Sequence, residues 1–90
     1  MGVAAVKMRI MPKSPDSDLE IIQESAKEII EKHSGKGPVF EKKPIAFGLN
    51  SLEFFFGWPE ENELEDLEQE LGSIENVNSV ELIDIRRAIG

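Results

Sequence analysis

The chain has 90 residues, with 18 acidic side chains against 10 basic ones and a formal net charge of −8. That surplus works against unspecific attraction to nucleic acid or anionic membrane, both of which draw on Lys and Arg meeting phosphate. No cysteine is present, which excludes disulfides, zinc–thiolate centres and thiol nucleophiles and fits a cytosolic setting, and the length predicts one domain over residues 1–90.

The opening residues, Met1 to Lys7, lack the charged-then-apolar order of a secretory signal. Gly2 starts an acylation pattern that needs Ser or Thr where Val6 stands. No apolar run approaches the roughly 18 residues of a membrane span. The expectation is an unanchored chain.

Residues 3–11 alternate, with Ala4, Val6, Met8 and Ile10 on one side and Lys7 and Arg9 on the other, the period of a half-buried strand. Pro12 and Pro15 end it. Ser17 precedes Glu20 by the spacing of a capping box. Leu19, Ile22, Ala26, Ile29 and Ile30 then recur at helical steps. The helix is predicted to end near His33, with Gly35 as its left-handed cap.

From Val39 the chain extends again, broken by Pro44. Leu52, Phe54, Phe56 and Trp58 alternate with Ser51, Glu53 and Phe55, and Pro59 stops the strand. Asn62 and Glu65 repeat the capping spacing ahead of Leu64, Leu67, Leu71 and Ile74, a second helical stripe ending near Gly72. The final segment, Val77 to Ile89, is strand-like. Its phase slips, because Ile83 and Ile85 oppose the parity of Val80 and Leu82; a bulge or a departure from the sheet near Asp84 would each explain that.

The order β-α-β-β-α-β predicts an α+β, ferredoxin-like split βαβ fold: a four-stranded antiparallel sheet in the order 4-1-3-2, with two helices on one face.

Most candidate chemistry has a plainer explanation. The acids Glu61, Glu63, Glu65, Asp66 and Glu68 read as a solvated helix face, the early ones near its positive end. Asp16-Ser17-Asp18 lacks the Gly and distal Glu of a calcium loop. Ser34-Gly35-Lys36-Gly37 follows a helix and precedes a strand, the reverse of a phosphate-binding loop. His33, the one histidine, has no evident catalytic or metal partners and suits a helix C-terminus. Of Phe54-Phe55-Phe56, only Phe55 has the outward parity, so an RNA-stacking platform is not supported. No catalytic residue, metal site or cofactor is expected.

Two features stay open on residues alone. Pro44-Ile45-Ala46-Phe47-Gly48 sets an aromatic between small residues in a stiffened loop, where Phe47 either caps the core or anchors a partner. Arg86 and Arg87 either discourage edge pairing or present a cation to an anion or metal pocket.

Met11-Pro12-x-Ser14-Pro15-Asp16-x-Asp18-Leu19, Pro44-Ile45-Ala46-Phe47-Gly48-Leu49 and Val80-Glu81-x-x-Asp84-Ile85-Arg86-Arg87 together resemble archaeal elongation factor 1-beta, over essentially the whole chain. The resemblance implies a ferredoxin-like domain homologous to the exchange domain of the eukaryotic factor. It implies nucleotide exchange on the GDP-bound form of elongation factor 1-alpha, without bond chemistry, by a cytoplasmic protein; the acid surplus argues for a monomer when free. It implies that Phe47 inserts into the GTPase near its switch regions. A C-terminal lysine of the eukaryotic family reaches the magnesium site, and aligning the tails through Val77 and Ser79 places Arg87 there, followed by an Ala88-Ile89-Gly90 extension. The implied partner surface is Pro44, Ile45, Ala46, Phe47, Gly48, Arg86 and Arg87, with the loop and Arg87 acting together. The competing readings are an RNA-binding or ribosomal interaction module of the same fold and an acylphosphatase-like enzyme. The latter lacks an Arg-bearing anion loop after the first strand, although Asn50 is present.

Overall fold

A computed structural model describes residues 2–87. The elements are β1 (Val3–Pro12), α1 (Leu19–Lys32), β2 (Lys36–Pro44), a 3-10 turn (Ala46–Gly48), β3 (Asn50–Pro59), α2 (Leu64–Gly72) and β4 (Val77–Arg87). One four-stranded sheet has the order β2-β3-β1-β4 with every pairing antiparallel, so the ferredoxin-like arrangement is present as expected.

Strand periodicity decides which face is covered. Val6, Met8 and Ile10 of β1 stand beside Phe56, Phe54 and Leu52 of β3, and all six are buried under Ile22, Ala26 and Ile30 of α1 and Leu67 and Leu71 of α2. Phe40, Phe54, Phe56 and Trp58 form an aromatic row through this layer, with successive ring centroids 5.2, 5.9 and 5.9 Å apart. These are spacings at which tilted and edge-on rings attract beyond simple burial. Phe55, of opposite parity, lies on the open face beneath the Lys7 ammonium, 5.1 Å from the ring centroid.

The phase slip in β4 is a bulge. Met8 pairs with Leu82 while the preceding Lys7 pairs with Asp84, leaving Ile83 as the extra residue. Pairing continues to Ala4 and Arg87, so the strand does not leave the sheet. The bulge resets parity, and Leu82 and Ile85, level with Met8 and Val6, share the helix-side face. Ile89 lies outside the described residues.

Three local expectations differ from the structure. Helix α1 is capped by Asp18, whose Oδ1 accepts from the amides of Glu20 at 2.9 Å and Ile21 at 3.4 Å. A carboxylate satisfies orphan amides and the positive helix end together; Ser17 Oγ accepts instead from the Ser14 amide. In α2, Asn62 caps nothing: its side-chain amide donates to the His33 carbonyl at 3.0 Å, and the cap position is Glu63. After α1 the left-handed residue is Ser34, with φ 71°. Gly35 is needed for space, since an added Cβ would strike the Ile30 side chain and lie 2.9 Å from its carbonyl oxygen.

His33 acquires a partner that the sequence concealed. Its Nε2 is 2.8 Å from Glu70 Oε1, and Lys32 binds the other carboxylate oxygen. The Lys32 hydrogen bond, and then that of His33, hold the Glu70 carboxyl below its ordinary value of 4.5. A carboxylate whose folded pKa is lowered contributes stability that is present above the unfolded pKa and is lost as pH falls through the folded one. Glu70→Gln is therefore expected to melt below wild type at neutral pH, with the two melting curves converging below pH 4.5. A gap unchanged at pH 3 would assign the contact to packing and not to charge.

Candidate functional site: an aromatic loop and a basic sheet end

The β2–β3 connection is short and closed by its own backbone. Pro44 pairs with Asn50 as the last rung of the ladder. Beyond it the Ile45 amide donates to the Leu49 carbonyl at 2.8 Å, and the Leu49 amide to the Ala46 carbonyl at 3.3 Å. Ser51, fully buried, donates from Oγ to the Lys43 carbonyl at 3.3 Å and ties the base of the hairpin. Glu41 bonds the Lys43 ammonium and raises its pKa, so that cation stays charged beside the loop.

At the tip Phe47 has φ 63° and ψ 30°, and Gly48 follows with φ 76°. Nothing would crowd a Cβ on Gly48, so glycine serves its backbone angle there. Phe47 has no such freedom. A left-handed L-residue is strained by about 1–2 kcal/mol, and here it presents a side chain 95% exposed. Burial therefore gives nothing back for the strain. Of the two readings left open, Phe47 does not cap the core.

Arg86 and Arg87, adjacent in sequence, are separated by the strand. Arg86 stands level with Ala5 on the open face and bonds Asp84 through Nε at 3.0 Å. Arg87 stands level with the buried Ala4 on the helix side, and its Nη1 meets Glu60 Oε2 at 3.5 Å. With Trp58, Leu64 and Ile85, Arg87 and Glu60 border a cleft of about 350 Å³ between β4 and the turn after β3. Glu60 was missed by sequence reasoning because no local pattern links two residues 27 positions apart.

The loop and the basic end do not meet. Asn50 begins β3 beside the loop, whereas Trp58 stands level with Ala4 and so with Arg87. Eight residues of strand place them roughly 27 Å apart. Ala88, Ile89 and Gly90 lie outside the described residues. Among the described residues, no cluster of three or more His, Asp or Glu could hold a metal, and no helix is long and apolar enough to cross a membrane.

Solved structures resemble the fold across unrelated activities. The ACT domain of a GTP pyrophosphokinase from Chlorobium tepidum matches with TM-score 0.63 at 15% identity, covering 88% of this chain and 96% of that one. The P2 domain of the chemotaxis kinase CheA from Thermotoga maritima matches with TM-score 0.66 at 18% identity, covering 97% and 100%. At such identities the likeness concerns fold alone.

Sequence relatives are more specific. The chain is 32% identical over 87 residues to elongation factor 1-beta of Methanococcus maripaludis, covering 94% of this chain and 97% of the relative. It is 36% identical over 88 residues to that of Methanosphaera stadtmanae, covering 97% and 98%. The Pyrococcus horikoshii protein of the same name is 35% identical over 82 residues, covering 89% of each. The family model described as the EF-1 guanine nucleotide exchange domain matches residues 5–88. With its split βαβ sheet, the chain belongs to the elongation factor 1 guanine nucleotide exchange domain family, and its role is nucleotide exchange in translation elongation.

Proposed function

We propose that this protein binds the GDP-bound form of elongation factor 1-alpha in the cytoplasm and accelerates GDP release, making and breaking no covalent bond. The observation that carries the proposal is Phe47, a strained residue with a 95% exposed aromatic side chain on a hairpin closed by backbone bonds. A rigid, desolvatable aromatic held clear of its own fold is the usual anchor of a protein interface, and strain of this kind tends to be kept where it works.

The second element is Arg87. In GTPases a magnesium ion bridges the nucleotide phosphates and helps hold the switch loops. A cation directed at that region competes for the same negative charge, while an inserted aromatic favours a displaced switch; either lowers nucleotide affinity. By linkage, bound nucleotide weakens the exchange factor equally. Because Phe47 and Arg87 sit roughly 27 Å apart along the sheet, they would touch two separate places on the GTPase and not one pocket. The planar guanidinium suits phosphate or carboxylate better than a metal position.

Stopped-flow release of fluorescent GDP from elongation factor 1-alpha tests this. The protein is expected to accelerate release, and Phe47→Ala to lose most of that acceleration. Arg87→Ala is expected to be impaired and Arg87→Lys to recover activity if charge is what matters. No acceleration by the wild-type protein, or full activity in Phe47→Ala, would falsify the assignment.

A further inference from the structure

Arg87 is not left free at the end of the sheet. Its acceptor, Glu60, is the better held of the two, with a side chain 26% exposed against 75% for the arginine. The Glu60 amide donates to the Gly2 carbonyl at 3.1 Å. Its carboxylate lies where a side chain on residue 2 would begin, so a larger residue there would have to turn it aside. The turn that carries Glu60 is tied down as well. The Asn62 amide donates to the Pro59 carbonyl at 3.0 Å, Trp58 Nε1 to the Asn62 carbonyl at 3.2 Å, and the Asn62 side chain to the His33 carbonyl at 3.0 Å. Trp58 itself is buried. A carboxylate carried on a turn whose backbone is tied to the core thus meets an arginine on an edge strand.

We infer that Glu60 is a positioning residue: it holds the Arg87 guanidinium on the helix side of the sheet end, oriented before the GTPase arrives. The inference rests on the exchange reading above. A long arginine side chain loses rotamer freedom when a partner fixes it, and an ion pair that already restricts it takes part of that loss before binding. Arg86 cannot substitute, because it faces the other side of the sheet and pairs with Asp84.

The test is the same GDP-release assay with the full chain, comparing wild type, Glu60→Gln, Arg87→Ala and the double variant. Glutamine keeps the shape packed over Gly2, so the unfolding midpoint is expected not to move. Exposed pairs contribute little, so Glu60→Gln is expected to lower the second-order exchange rate about two- to five-fold. In the Arg87→Ala background the same substitution is expected to change nothing further, and raising the salt is expected to narrow the gap to wild type. Wild-type activity in Glu60→Gln, with Arg87→Ala impaired, overturns the positioning role alone. So does an equal loss from Glu60→Gln in both backgrounds, or a faster rate in that variant. Wild-type activity in Arg87→Ala overturns the exchange role of Arg87, and the inference falls with it.

Discussion

Phe47→Gly is expected to leave the domain at least as stable as wild type while removing most of its exchange activity. The two effects separate because Phe47 buries almost none of its surface, so truncation removes no packing. Its backbone sits at φ 63°, a conformation glycine adopts without the steric penalty. Relief of about 1–2 kcal/mol of strain outweighs or balances the roughly 0.5–1 kcal/mol of extra chain entropy that glycine brings to the unfolded state. Phe47→Ala keeps the strain and is expected to unfold at the wild-type denaturant concentration. For exchange, both variants lose the aromatic. A central interface anchor contributes at least about 2 kcal/mol, which corresponds to roughly a 25-fold fall in exchange efficiency. Urea titrations and stopped-flow GDP release on the same preparations check the pair. A clear loss of stability in both variants would show that Phe47 is sheltered by its own chain, and the anchor reading would fail.

The strain at Phe47 also marks where sequence reasoning stops. Alternation through Val6, Met8 and Ile10 and through Leu52, Phe54 and Phe56 was legible because a one-sided sheet imposes a period of two on its burial pattern. The slip at Ile83 was visible for the same reason, although only the pairing of Lys7 with Asp84 identifies a bulge. What the chain order could not carry was long-range placement. Arg86 and Arg87 read as one basic pair, yet the strand sends them to opposite faces. The loop and Arg87 read as neighbours in function, yet antiparallel pairing sets them at opposite ends of the sheet. The caps failed for a more local reason: at both helix starts several side chains could accept or donate, and spacing does not rank them. Asp18 displaced Ser17 through charge, and Asn62 was drawn to the His33 carbonyl across the fold.

Phe54→Ala is the converse experiment, with a large loss of stability and little change in activity per folded molecule. Phe54 is fully buried at the centre of the aromatic row, 5.2 Å from Phe40 and 5.9 Å from Phe56 between centroids, and it stands directly across from Met8 in β1. Emptying that position is expected to remove about 3–5 kcal/mol, the usual range for a core phenylalanine. Small domains hold only about 5–15 kcal/mol in total, so the loss lowers Tm by on the order of 20 °C. The side chain points under the helices, whereas the loop is closed by the Ile45–Leu49 and Ser51–Lys43 bonds at the hairpin end. At 10 °C, with native circular dichroism confirmed, GDP release is therefore expected to stay close to the wild-type rate. Loss of exchange from a protein that is still folded would mean that the core sets the loop's conformation. The exposed aromatic would then be a readout of the packing beneath it, and stability and exchange could not be engineered separately.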